Sequence, residues 1–238
     1  MTDTLSSPAK PRARRRSTGR EPLTRDQLVA SAIAIADAEG LDAVTIRRLA
    51  ADHGVTPMAL YWHVKDKDEL LDAIAEHLFA TMVLPEPSSR PWTDQLREIF
   101  AAFLVSVRPH PEVAGLAMTR IFGSPAGLEV TERTLAELRR GGFTVERSSD
   151  IACYALAALI ALVRAEPACG PNGVKSEEAT RAKRALLTSL PHEQYPNVVA
   201  SSDTLAGRSS RDSYFSLGLD LLIGGIQANA PKRAAKSA

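Results

Sequence analysis

One stretch, from Thr45 to Leu71, restricts this chain more than any other: TIRRLAADHGVTPMALYWHVKDKDELL. Thr45 is a good N-cap, and Ile46, Leu49 and Ala50 place one apolar stripe on the helix that follows. Gly54 ends that helix, as glycine can at the C′ position. Thr56 and Pro57 start another, with a hydroxyl at the N-cap and a proline where a missing N–H costs nothing. Two helices joined by so tight a glycine turn make a helix-turn-helix, whose second helix is the reading head. A third helix begins at Asp66. Asp66 and Glu69 form a capping-box variant, and the acidic first turn suits the positive end of the helix dipole.

The rest of the chain also reads as helix. Thr24 caps a first helix with Leu28, Ala32 and Ala36 on one face. Leu70, Ile74, Leu78 and Met82 recur at steps of four on a helix reaching about Val83. Pro85, Pro87 and Pro91 then break the chain. Thr93 is the expected cap of the next helix, which carries Ile99, Phe100, Phe103, Leu104 and Val107 and stops at Pro109. A short helix follows within Glu112 to Phe122. Ser124-Pro125 restarts a helix to Arg140, and Thr144 caps one that continues to about Ala165. Pro167 to Gly173 reads as a turn-rich loop, Lys175 to Leu190 as amphipathic, and Pro191 to Arg208 as a loop with one helical turn. The last helix spans about Ser210 to Ala228, and a basic tail runs from Pro231. No stretch alternates as a half-buried strand does, so the fold class is all-α. Three units are expected: a flexible basic arm (1–22), a helix-turn-helix domain (23–84) and a larger helical domain (92–230).

Bulk numbers exclude several classes. The chain has 238 residues, 45% hydrophobic and 24% charged, enough to bury a core. Its net charge of +1 hides an uneven distribution. Lys10, Arg12, Arg14, Arg15, Arg16 and Arg20 face one acid, Asp3, in the first twenty residues. That arm is either a solvated tail or a minor-groove strand. No apolar run is long enough to span a membrane and no signal segment is seen, so a cytoplasmic protein is expected. Cys153 and Cys169 lack a CxxC partner and read as plain thiols. No nucleophile–base pair, phosphate loop or metal-ligand spacing is present, so neither an enzyme nor a cofactor or metal site is expected.

Ile46-Arg47-Arg48-Leu49-Ala50, Gly54-Val55, Leu60-Tyr61-Trp62-His63-Val64-Lys65, Lys67 and Leu70-Leu71 together resemble the DNA-binding domain of the TetR family of bacterial transcriptional repressors. The resemblance implies double-stranded operator DNA as a partner. It puts Arg47 at the guanine-reading position, where an arginine fork bonds O6 and N7 together. Thr45 and Arg48 neighbour it. Thr24 and Arg25 would face phosphates. Thr56, Pro57, Met58 and Ala59 form the front of the reading helix, an apolar front suited to thymine methyl groups. Tyr61, His63 and Lys67 would hold the backbone. Trp62 is either a DNA-facing residue or core.

The C-terminal half carries two strongly apolar helices, Ile151–Val163 and Tyr214–Ile226, interspersed with small residues. Helices apolar all round must be covered all round, which a homodimer through these two segments achieves. The end of the chain also resembles the tetracycline-repressor type of C-terminal domain. A small-molecule inducer is therefore expected, in a pocket drawn from Phe79, Met82, Phe100, Phe103, Leu104, Val107, Met118, Ile121, Leu135, Leu138, Tyr154, Leu156 and Ala157. Only Arg120 or Arg164 could pair an anion there. The resemblance does not extend to the tetracycline site. Val83 and Ile99 stand where those repressors have a histidine and an asparagine, and His110 reads as a loop residue. The function expected is a homodimeric repressor released by a largely apolar ligand. The alternative is an activator or ligand-independent regulator of the same fold.

Overall fold

The computed structural model describes residues 23–165, 177–207 and 211–231. Every regular element among these residues is helical. The basic arm, the loop from Pro167 to Gly173 and nearly all of the basic tail lie outside them.

The N-terminal domain is built from α1 (Arg25–Glu39), α2 (Ile46–His53), α3 (Pro57–Leu60) and α4 (Lys67–Ala80). Thr24 forms a complete capping box with Gln27: its hydroxyl accepts from the Gln27 N–H, and the Gln27 side chain accepts from the Thr24 N–H. Gly54 takes the left-handed conformation expected of it, with φ 62°, and so lets α2 stop and the chain turn back. Leu28, Val44, Leu49, Leu60, Val64, Leu70 and Ile74 are fully buried between these helices. Burying each such side chain contributes about 1.5–3 kcal/mol, so the short α2–α3 unit is held by its core rather than by helix propensity.

The larger domain contains α5 (Trp92–Val107), α6 (Leu116–Arg120), α7 (Pro125–Arg140), α8 (Val145–Arg164) and α12 (Arg211–Ala228). Its core is Leu96, Phe100, Leu138, Phe143, Leu159, Val163 and Phe215. Trp92 closes one end, edge-on to Phe143 with ring centroids 6.0 Å apart. Three further helices, α9 (Glu177–Thr188), α10 (Pro196–Ala200) and α11 (Ser202–Ala206), pack mainly on one another, with Arg184 bonded to Asp203 at 2.8 Å.

Several boundaries differ from expectation. The last turn of α4 stops at Ala80, because Thr81 turns its hydroxyl onto the Leu78 carbonyl. Pro91, not Thr93, is the N-cap of α5, with no side-chain capping bond. Two short helices, α10 and α11, stand where a loop with one turn was expected. The second half of the capping-box variant is shifted by one residue: Asp66 accepts from the Glu69 N–H, while Glu69 accepts from the Lys65 N–H at 2.8 Å.

Candidate DNA-reading face and ligand cavity

The reading head is shorter than its sequence pattern. Regular helix ends at Leu60, and Tyr61 to Val64 continue as a turn, with the His63 and Val64 N–H groups both donating to the Leu60 carbonyl. Buried Leu60 and Val64 hold this segment from behind. The opposite side faces solvent: Met58, Tyr61 and Trp62 are exposed, Trp62 by 88%. A tryptophan so exposed is not core. Thr56, Pro57, Lys65 and Lys67 are exposed beside it, and Ala59 and His63 are partly covered. Thr56 sits at the N-cap but makes no capping hydrogen bond with its side chain.

Arg47 and Arg48 part ways. Arg47 is exposed and turned outward from α2. The Arg48 fork grips Glu39 through both terminal nitrogens at 2.7 and 3.0 Å, and its Nε–H is shared by the two Asp52 oxygens. The hydrogen bond from Arg48 holds the Glu39 carboxyl below the ordinary glutamate range. Glu39 in turn is the chief cause that raises Arg48. Arg48 is thus a tie between α1 and α2, against its expected place at the DNA. Thr24 and Thr45 accept capping bonds from Gln27 and Arg48 N–H groups. Each hydroxyl proton is left to donate, the form in which a threonine meets a phosphate oxygen. Arg25 is exposed, 3.7 Å from Glu69.

The larger domain contains a cavity of about 240 Å³ between α5, α7 and α8. Ile99, Phe100, Phe103, Ile121, Phe122 and Val130 form much of its wall, and Thr131, Thr134, Leu135, Ser149, Ala152, Cys153, Leu156 and Leu159 complete it. Of the expected pocket residues, Phe100, Phe103, Ile121, Leu135 and Leu156 are here. Phe79, Leu104, Val107 and Leu138 are instead packed into the core, and Met82 leans on it. Met118 points outward, 44% exposed. Tyr154 and Ala157 lie on the outer face of α8, because a cavity beside Cys153 and Leu156 takes the opposite side of that helix. The hydroxyl-bearing wall was missed because Thr and Ser carry no apolar period.

Neither arginine offered as an anion partner reaches the cavity. Arg164 is exposed at the end of α8. Arg120 reaches the other way, to the N-terminal domain: it donates to the Asp68 carbonyl, the Asp68 carboxylate and the Asp72 carboxylate on α4. A second tie joins His110 Nδ1 to Asp37 on α1 at 2.7 Å. His110 is therefore a domain contact and not a cavity residue.

The outer face of α8 and α12 presents Tyr154, Ala157 and Ala161 beside Leu217, Leu221, Gly224 and Gly225. Gly218 serves a different purpose within the chain, since a Cβ there would run into Leu162. Asp220 is paired with Arg97 on α5. No group of metal-ligating side chains is found among the described residues, and no helix there is long and apolar enough to cross a membrane.

A capped helix-turn-helix on a larger all-helical domain is the architecture of a DNA-binding transcriptional regulator. The comparisons agree. The family described as "Bacterial regulatory proteins, tetR family" matches residues 28–74, and "Tetracyclin repressor-like, C-terminal domain" matches residues 84–230. The chain belongs to the TetR family of transcriptional regulators, which are DNA-binding proteins and not enzymes. It is 29% identical to the HTH-type transcriptional repressor DrrR1 of Streptomyces coeruleorubidus, over 94% of this chain and 85% of that one. It is 26% identical to the class E tetracycline repressor protein of Escherichia coli, over 89% and 94% respectively. Among solved structures, the TetR family protein ActR of Streptomyces coelicolor in complex with actinorhodin matches with a TM-score of 0.73. That match has 31% identity and covers 89% of this chain and 100% of that one.

Proposed function

We propose that this protein is a homodimeric, cytoplasmic repressor that leaves its operator when a small, largely apolar molecule enters the α5–α7–α8 cavity. The observation that carries the DNA side of this reading is the exposure of Met58, Tyr61 and Trp62 on the reading head together with that of Arg47 on α2. Thr24, Arg25, Thr45, Thr56 and Lys67 ring that front and supply phosphate contacts, and His63 stands half-covered among them. The apolar outer face of α8 and α12 supports a two-fold dimer, which spaces two heads about one DNA turn, ~34–36 Å, apart.

The ligand side rests on the cavity and on its place beside the domain tie. Ile121 and Phe122 belong to its wall, and Arg120, one residue before them, grips the first turns of α4. A ligand that moves the Ile121–Phe122 turn moves Arg120, and with it the helix that backs the reading head. The far end of α4 offers no direct route, since Phe79 and Met82 do not border the cavity. ActR, similar along nearly its whole length, was solved in complex with actinorhodin and with (S)-DNPA. That supports a small-molecule ligand for this chain.

The test is a selection from random duplexes with the full chain, followed by fluorescence anisotropy on the winning sequence at several salt concentrations. Strong enrichment and a steep salt slope are expected, with Lys67→Ala reducing the slope by about one phosphate contact. Binding with no preference among duplexes would end the reading.

A further inference from the structure

The cavity has a polar side whose hydrogen-bond protons are already spent. Thr131 Oγ1 donates to the Gly127 carbonyl at 2.9 Å, and Thr134 Oγ1 to the Val130 carbonyl at 2.8 Å. Ser149 Oγ donates to the Val145 carbonyl at 3.1 Å. All three hydroxyls belong to the cavity wall. A hydroxyl has one proton and two lone pairs, so each can still accept. The thiol of Cys153 is the remaining polar group of the wall, and it is only a weak donor. No charged side chain borders the cavity among the described residues. Three phenylalanines, Phe100, Phe103 and Phe122, supply flat apolar surface.

Resting on the reading of this cavity as a ligand site, we infer that its ligand is a neutral, flat aromatic molecule that donates hydrogen bonds from its edge, as a phenol does. A ligand that only accepts finds no ready donor here. It must turn a threonine proton away from its carbonyl and lose that bond. A carboxylate is worse, for it gives up its hydration with no cation to meet it. A phenol O–H meets the lone pairs of Thr131, Thr134 or Ser149 with nothing rearranged. Size narrows the class further. At about 240 Å³ the space is below the roughly 300–1,000 Å³ of drug-sized sites, which favours a two-ring over a four-ring compound.

The experiment is titration calorimetry of the full chain with a naphthalenediol, its dimethyl ether and a naphthalene carboxylate. The diol is expected to bind about tenfold more tightly than the ether, the worth of one or two hydrogen bonds, and the carboxylate weakest. Size alone could disfavour the ether, so the variants decide. Thr134→Val and, separately, Ser149→Ala should weaken the diol and leave the ether alone, narrowing the ratio. Location is read from Cys153 in a Cys169→Ser background, where the diol should slow alkylation by a maleimide. Ether binding equal to or tighter than diol binding, or a ratio untouched by both variants, overturns the donor preference while leaving a ligand cavity in place. Binding of none of the three refutes the cavity reading as well.

Discussion

Arg47 and Arg48 are neighbours of the same type, yet the structure gives them different work. Position on the helix decides it: Arg48 stands over Glu39 and, four residues on, Asp52, while Arg47 points away from both. Arg47→Ala should therefore cost about 1–3 kcal/mol of operator binding and relax the choice of one base per half-site. Arg48→Ala should spare base choice and lower stability instead, measured by urea unfolding. The pH dependence of that loss has a definite sign. Glu39 has a folded pKa depressed by Arg48, so the pair stabilises above the unfolded glutamate value, ~4.3. Its contribution is lost as pH falls through the folded value. Wild type and Arg48→Ala should thus differ in unfolding midpoint near neutral pH and converge in acid. A gap that stays constant down to pH ~2 would contradict the pairing. The sequence motif left Arg48 beside Arg47 at the DNA because partner choice depends on where the end of α1 lies, which no local pattern encodes.

At the scale of elements, caps were the most legible signal. Thr24, Thr45, Asp66, Ser124 and Thr144 each accept the capping bond their position implies. A cap is chemistry within three residues, so sequence reads most of them, although Thr56 makes no side-chain capping bond and Pro91 stands at the cap expected of Thr93. Tertiary choices were less legible. The end of α3 is set by the turn through Val64, and α10 and α11 are too short to show an apolar period. Two glycines give sharp tests. Gly54→Ala puts a Cβ at φ 62° and should cost about 1–2 kcal/mol of stability. Gly127 is tighter still, for a Cβ there would strike the Ile121 carbonyl at the cavity wall. Gly127→Ala should push α7 from the Ile121 turn, and thermal unfolding should show a loss larger than that at Gly54. Arg120→Ala removes the grip on Asp68 and Asp72. It should leave ligand affinity near wild type in the absence of DNA while reducing the ligand's effect on operator release. Undiminished release in that variant would exclude Arg120 from the coupling.

For the whole molecule, sequence showed a helix-turn-helix domain joined to a larger helical one, and the two apolar helices, but not the faces those helices use. Ile151 to Val163 is apolar on all sides, so nothing in its pattern says that Leu159 borders a cavity while Tyr154 and Ala157 look outward. The cavity lies between α5, α7 and α8, lined partly by Ile99, which sequence placed on the apolar stripe of its helix and noted as a departure from the tetracycline site. The same geometry selects the right positions for testing assembly. A charge at Leu159 would damage the core and the cavity together. A charge at Leu221, 68% exposed, touches only the outer face. Leu221→Asp should keep helical content and ligand binding but give a monomer by sedimentation, with operator affinity reduced at least 100-fold as two-headed binding is lost.

Two copies of the protein are expected to read one operator through paired heads one turn apart, and sedimentation of the full chain on a duplex recovered from the random selection checks this. Two chains should sit on each duplex, on an inverted repeat whose half-sites are centred ~34–36 Å apart, with affinity falling when a half-turn of DNA is inserted between them. One chain per duplex, or affinity indifferent to that insertion, would contradict it.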